Sequence, residues 1–258
     1  MTTDGLVVTE EDGVLTLRFD RPQSFNALTE AMTIGAAAQL ERAGARDDVR
    51  VVLLTGTGAA FCAGADIGDE GAHERFDVRA LDAANRLVRA ILRCDTPVVA
   101  GVNGVAAGVG LSAALACDLA VCTESASLLM AFARVGLMPD GGATATVAAS
   151  IGRARALRMA LLAEPLSARA AHDAGLVSHV VPDDGYEAEL AAVVDVVRRG
   201  ASLGQAATKR AVNAAALAQV ESALELERAT QTMLLRTSDV AEGMRAFTEK
   251  RAPRFTGD

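Results

Sequence analysis

The residue types with the most chemical potential lie between Thr96 and Asp118. Pro97–Gly101 is apolar and opens on a proline, which marks a short buried strand. Asn103 and Gly104 both tolerate positive φ and mark a tight turn. Gly108, Val109 and Gly110 then lead into a small-residue run, Leu111–Cys117, that reads as a buried helix. A strand, a glycine loop and a helix start leave backbone N–H groups with little side chain in their way, and the helix dipole adds partial positive charge. Such a trap suits a phosphate, because Gly108-x-Gly110-x-x-Ala113 matches a loose dinucleotide fingerprint. It also suits the oxyanion that develops on an ester or thioester carbonyl. A plain glycine turn with close helix packing is the third reading.

An oxyanion hole needs a second donor from another segment. Phe61, Cys62, Ala63, Gly64, Ala65, Asp66 and Ile67 form a second small-residue loop. It is either that donor or a simple turn with Asp66 as a cap. One further acid, Asp140, lies in Pro139-Asp140-Gly141-Gly142, ahead of a short helix at Ala143–Ile151. By residue type alone it reads as a helix cap. Ser112 lacks an oriented histidine and reads as a small residue on a buried helix rather than a nucleophile. His73 falls in the polar stretch Gly68–Asp77, a candidate cover over a site. His172 and His179 read as structural.

These groups must be held by a framework, and the pattern supplies one. Val7–Glu10 and Val14–Phe19 flank Glu11-Asp12-Gly13 as a β-hairpin. Thr29 is placed to cap a helix over Glu30–Ala43. Val49–Thr55 is a buried strand and Arg79–Cys94 an amphipathic helix. Leu119–Cys122 and Ser127–Phe132 read as strands, and Arg153–Leu162 as a helix. Ser167–Ala174 has a serine cap and stops at Gly175. Leu176–Val181 is a strand. Tyr186–Arg199, Leu203–Leu217, Val220–Leu235 and Ser238–Glu249 are helices. Strands alternate with helices for two hundred residues and helices follow, so the class is α/β with an α-helical tail. The boundary falls at Arg199-Gly200-Ala201-Ser202, giving a core of residues 1–199 and a helical region of 200–258.

The chain has 258 residues, 51% hydrophobic and 22% charged. That is enough to bury a core in one domain. A net charge of -8 argues against a nucleic-acid partner. Lys209 and Lys250 are the only lysines. There is no apolar run of signal-peptide type and none long enough to span a membrane, so a cytoplasmic location is expected. Cys62, Cys94, Cys117 and Cys122 form no C-x-x-C pair and no zinc pattern with histidine, so no metal is expected. Sequence repeats are not evident.

Taken together, the motifs resemble the enoyl-CoA hydratase/isomerase (crotonase) superfamily. Five segments carry the likeness in the family's order: Arg21-Pro22 with Asn26-Ala27-Leu28, Phe61-x-Ala63-Gly64-Ala65-Asp66-Ile67, Asn103–Gly110, Pro139–Gly142, and Glu242-Gly243-Met244 through Lys250-Arg251. The resemblance implies a crotonase-like spiral of ββα units with a C-terminal helical trimerisation region, as a homotrimer or a hexamer. It implies an acyl-CoA thioester substrate, with coenzyme A as part of that substrate and no separate cofactor. The N–H groups of Ala65 and Val109 would form the oxyanion hole. Ala63, Gly64, Asp66 and Ile67 would curve around the coenzyme A moiety, with Gly108 beside them. Ser24, Phe25 and Ala27 would line its channel, and Phe247 and Lys250 would reach the nucleotide, from the same or a neighbouring subunit.

The departures from the family pattern set the expected reaction. Hydratases of this family carry two glutamates, and the matching positions here are Ser112 and Phe132. An unassisted hydroxyl is a poor base. Asp140 occupies a position at which isomerases of the family, Δ3,Δ2-enoyl-CoA isomerases and 1,2-epoxyphenylacetyl-CoA isomerases, carry their base. The stretch Met130–Asp140 and the end Lys250–Gly257 resemble the latter most. The expected activity is an enoyl-CoA isomerase with Asp140 as base and Phe132 drying its pocket. A hydratase, a non-catalytic acyl-CoA-binding scaffold and a nicotinamide enzyme are the competing readings. The last lacks an acid about 20 residues beyond the fingerprint. A dry pocket would raise the Asp140 pKa and a helix N-terminus would lower it; the sequence leaves that balance open.

Overall fold

The computed structural model describes residues 2–68 and 77–258. Its frame is a seven-stranded sheet in the order β1-β2-β3-β4-β6-β8-β11. The strands are β1 (Thr2–Thr3), β2 (Leu6–Glu11), β3 (Val14–Phe19), β4 (Val51–Gly56), β6 (Val98–Val102), β8 (Leu119–Thr123) and β11 (His179–Val181). The hairpin β2–β3 is antiparallel, while β3, β4, β6, β8 and β11 pair in parallel. Every residue of β6 is buried, as expected of a parallel strand covered on both faces.

A second sheet of four short strands runs β10-β9-β7-β5. These are β5 (Ala60–Cys62), β7 (Val105–Ala107), β9 (Ser127–Leu129) and β10 (Leu166–Ser167). Each of β5, β7 and β9 follows a strand of the large sheet and precedes a helical segment. The helices are α1 (Glu30–Ala43), α2 (Val78–Arg93), α3 (Val109–Ala116), α4 (Ala143–Leu162), α5 (Ala168–Asp173) and α6 (Tyr186–Arg199). The result is the ββα repetition of a crotonase-like fold. It leaves no fixed period in the sequence, because the unit beginning at Val51 is far longer than that beginning at Val98.

Three helices, α7 (Ser202–Ala216), α8 (Val220–Leu234) and α9 (Ser238–Thr248), form the C-terminal region. The two sheets share one core. Phe19 of the large sheet and Phe61 of the small one are fully buried, edge to face, with centroids 5.8 Å apart. Thr29 caps α1, its hydroxyl accepting from the Met32 N–H at 3.2 Å. Lys209 of α7 ties the tail to the core, donating to Asp118 Oδ2 and to the Ile91 carbonyl, each at 2.8 Å.

Some sequence expectations need correction. Ser127–Phe132 is not one strand: β9 ends at Leu129, and Ala131–Val135 is a 3-10 helix. The expected glycine loop contains β7, and α3 opens at Val109 rather than Leu111. The expected second loop begins with β5. The two helices expected on either side of Gly152 are present as one element broken at Gly152, where φ is 78°. The proposed cover at Gly68–Asp77 lies mostly outside the described residues, as does His73.

Candidate active site

Parallel pairing sets the geometry. β5 pairs with β7, Ala60 opposite Val105 and Cys62 opposite Ala106. β7 pairs with β9, Ala106 opposite Leu128 and Ala107 opposite Leu129. Segments that leave the same end of neighbouring parallel strands must emerge together. The segments leaving these three are Ala63–Ile67, Gly108–Val109 and Met130–Val135, and all three contribute to one cavity of about 690 Å³.

The first two segments abut through glycine. Gly64 has φ 104°, and a Cβ there would stand 3.1 Å from the Ala107 carbonyl oxygen. Gly108 has φ 51°, and its Cβ would lie 3.6 Å from the Gly64 Cα. Both positions need backbone freedom that only glycine has at no steric cost. The residues that follow, Ala65 and Val109, line the cavity.

Their N–H groups are available. Leu28 and Ala65 form a parallel bridge. Its bonds run from the Leu28 N–H to the Gly64 carbonyl at 2.8 Å and from the Asp66 N–H to the Leu28 carbonyl at 3.1 Å. The bonding groups flank Ala65, so the Ala65 N–H faces away from the bridge. Val109 is the first residue of α3, where N–H groups have no intrahelical acceptor. Among the described residues, no backbone carbonyl outside the regular elements accepts from either N–H.

The loop before α1 is held from inside. Asn26 is fully buried at φ 58°. Its Nδ2 donates to the Thr57 and Ala60 carbonyls at 2.9 and 2.7 Å, and its Oδ1 accepts from the Arg21 N–H at 2.9 Å. Arg21 Nη1 donates to the Ala27 carbonyl at 2.8 Å and to Asp66 Oδ2 at 2.7 Å. Asp66 is therefore an ion-pair partner that fixes the Ala63–Ile67 segment. These contacts place Ser24, Phe25 and Ala27 on the cavity wall beside Ala63, Gly64 and Ile67, with the Ala63 N–H on the Phe25 carbonyl at 3.0 Å. Phe25 and Phe247 stand half exposed at its rim.

Phe247 belongs to α9, which packs on its own chain: a Cβ at Gly243 would sit 2.6 Å from the Val135 backbone. Lys250 does not line the cavity. It lies past the end of α9 at φ 54°, exposed, with its N–H on the Phe247 carbonyl at 3.2 Å.

Asp140 faces the same cavity and is buried. Its Oδ2 accepts from Gln231 Nε2 at 3.0 Å, while Oδ1 has no partner among the described residues. Burial pushes its carboxyl up to about 7; the Gln231 hydrogen bond pulls down, and the Glu227 carboxylate pushes further up. Asp140 is not the cap of α4. Gly142 takes that position with no side chain to offer, and the Gly142 and Thr144 N–H groups go to the Glu227 carboxylate. The open balance in the sequence thus falls on the side of a raised pKa. Phe132, in the 3-10 turn, is buried against the cavity.

Ser112 does not line the cavity. It is fully buried, and its hydroxyl donates to the Asp140 carbonyl at 2.8 Å. Glu227 and Gln231 are functional candidates that sequence reasoning missed. Among the described residues, no group of three or more His, Cys, Asp or Glu side chains could hold a metal ion. Nor is any described helix long and apolar enough to cross a membrane.

This combination, two N–H groups just past adjacent strands of a ββα spiral and a buried acid lining the same cavity, defines a class. The enoyl-CoA hydratase/isomerase family model matches residues 9–258, and the chain belongs to that family. A probable enoyl-CoA hydratase of Rhodobacter capsulatus is 41% identical over 95% of each chain. The 1,2-epoxyphenylacetyl-CoA isomerase of Escherichia coli is 36% identical over 96% of each. The crystal structure of an enoyl-CoA hydratase from Mycobacterium avium subsp. paratuberculosis superposes with a TM-score of 0.93. It is 44% identical and covers 99% of this chain and all of its own.

Proposed function

We propose that the protein is an enoyl-CoA isomerase that moves a double bond from C3–C4 to C2–C3 of an acyl-CoA. The observation that carries this reading is the state of Asp140: buried on the cavity wall, with one carboxylate oxygen held and the other free. Other described carboxylates line the cavity, but none is so placed. Glu30 is exposed, Asp66 pairs with Arg21, and Asp77 caps α2.

The proposed reaction balances on one acid. Asp140 Oδ1 takes a proton from C2. The C2–H pair forms a C1–C2 double bond as the carbonyl pair moves to the thioester oxygen. The Ala65 and Val109 N–H groups hold that oxyanion. The charge then returns: C2–C3 becomes double, the C3–C4 pair takes the proton from Asp140 at C4, and the carboxylate is restored. No atom changes hands with solvent and no redox partner is needed.

Hydration is the second reading, supported by the name of the Rhodobacter relative. It asks for a group to activate water besides a proton donor, and Ser112 and Phe132 stand where the family's two glutamates would be. The discriminating experiment presents a panel of 3-enoyl-CoA thioesters and, separately, crotonyl-CoA. Rising absorbance of the conjugated thioester from the 3-enoyl substrates supports the isomerase. Loss of crotonyl-CoA absorbance as the main activity supports the hydratase. Binding with turnover of neither supports an acyl-CoA scaffold.

Two coarser features accompany the reading. Four cysteines without disulfides fit a reducing cytoplasm. Leu226 and Met233, exposed on α8, fit a subunit contact in a trimer or hexamer, which sedimentation velocity would measure.

A further inference from the structure

Helix α8 reaches the candidate site from far along the chain. Its buried residues are Leu224, Glu227 and Gln231, one stripe of the helix of which two members are polar. Both polar side chains are spent on the segment that carries Asp140.

Gln231 clips the start of that segment. Its Oε1 accepts from the Met138 N–H at 3.1 Å, and its Nε2 donates to the Met138 carbonyl at 2.9 Å and to Asp140 Oδ2 at 3.0 Å. A flipped amide would set oxygen against both acceptors, so the orientation is fixed by the network. Glu227 clips the end. Its Oε2 accepts from the Gly142 N–H at 2.7 Å; Oε1 accepts from the Thr144 N–H at 3.0 Å and from the Thr144 hydroxyl. The Gly142 and Thr144 N–H groups and the Thr144 hydroxyl favour the ionised carboxylate at Glu227, against burial, which pushes its pKa up. It occupies the α4 N-terminus, which would otherwise favour negative charge on nearby Asp140.

The structure assigns Glu227 and Gln231 as a positioning pair for Asp140: Gln231 immobilises one carboxylate oxygen and leaves the other free, and Glu227 takes the helix end and sets the charge that Asp140 feels. This rests on the reading of Asp140 as the base. The surrounding charges are committed elsewhere. Asp82 pairs with Arg228, Arg89 with Glu221 and Glu225, and Glu242 with Arg251, while Arg134 donates to the Ala163 carbonyl. Ser112, from α3, is neutral.

The two residues push in opposite directions, which gives the test. In the full-length protein, Glu227→Gln removes a like charge while keeping the shape. The acid-side midpoint of kcat/KM for a 3-enoyl-CoA should fall by on the order of one pH unit. Gln231→Met removes a donor to the carboxylate, and the midpoint should rise. A purely structural role would lower stability in both variants and move neither midpoint. Thermal melts and binding of coenzyme A establish folding. Should Glu227→Gln fail to fold, the sign of the Gln231→Met shift decides alone. Midpoints that stay put, or move in the same direction, overturn the assignment while Asp140→Ala remains inactive. If Asp140→Ala is itself active, the base assignment fails instead.

Discussion

Ser112 Oγ lies 2.8 Å from the Asp140 carbonyl oxygen and donates to it. The helix that begins at Val109, on the cavity, therefore also holds the backbone of the acid. One rigid element sets the spacing between the two halves of the candidate site. Ser112→Ala should leave that carbonyl only the longer bond from the Ala143 N–H, at 3.3 Å, and lower unfolding free energy by about 1 kcal/mol. Urea titration of the two proteins measures it, and an unchanged midpoint would remove Ser112 from this role.

Asn26 gives a larger effect. It serves two carbonyls and one N–H from a fully buried site at positive φ. Asn26→Ala leaves the Thr57 carbonyl and the Arg21 N–H without their partner, while the Ala60 carbonyl keeps Asn103 Nδ2 at 3.1 Å, and a loss of roughly 3 kcal/mol is expected. Denaturant unfolding checks the size. Activity should fall with it, since the same contacts hold the loop facing Ala65.

A backbone donor can be deleted without removing its helix. Val109 is the first residue of α3, the position at which proline is tolerated. Val109→Pro should keep the far-ultraviolet circular dichroism and lose on the order of 10²–10³ in kcat, as expected for one oxyanion donor. Wild-type kcat in a folded Val109→Pro would contradict the assignment.

Acid should affect rate and stability with opposite signs. The base form of Asp140 starts the reaction, and its pKa is raised to about 7, so kcat/KM should fall as pH drops below about 7. Its folded value lies above the ordinary 3.8. The folded state then binds the proton more tightly, and this contribution is full below about pH 4 and is lost as pH rises through about 7. Glu227 and Asp118, also raised by burial, add the same sign. The difference between wild type and Asp140→Asn isolates the Asp140 share. Equal pH slopes in urea unfolding would show that Asp140 is not so perturbed.

The sequence was readable where the pattern is local. Thr29 ahead of an apolar-periodic run, the β2–β3 hairpin and the serine cap at Ser167 each follow from neighbours within a few residues. Short strands such as Val105–Ala107 were hidden, because three small residues among glycines carry no periodicity. The candidate site residues, Lys250 included, were named through family motifs, and all but Lys250 line the cavity. Glu227 and Gln231 were missed because a polar residue on an amphipathic tail helix reads as solvated. The signal was their spacing: with Leu224 they share one face, and a polar pair on a helix's apolar stripe needs a partner.

The most direct measurement is the turnover of a 3-enoyl-CoA panel by wild type and by Asp140→Ala, with coenzyme A thioester binding followed in parallel. Wild type should give conjugated product and Asp140→Ala none above background, with binding retained in both. Conjugated product formed at the wild-type rate by Asp140→Ala would contradict the base assignment.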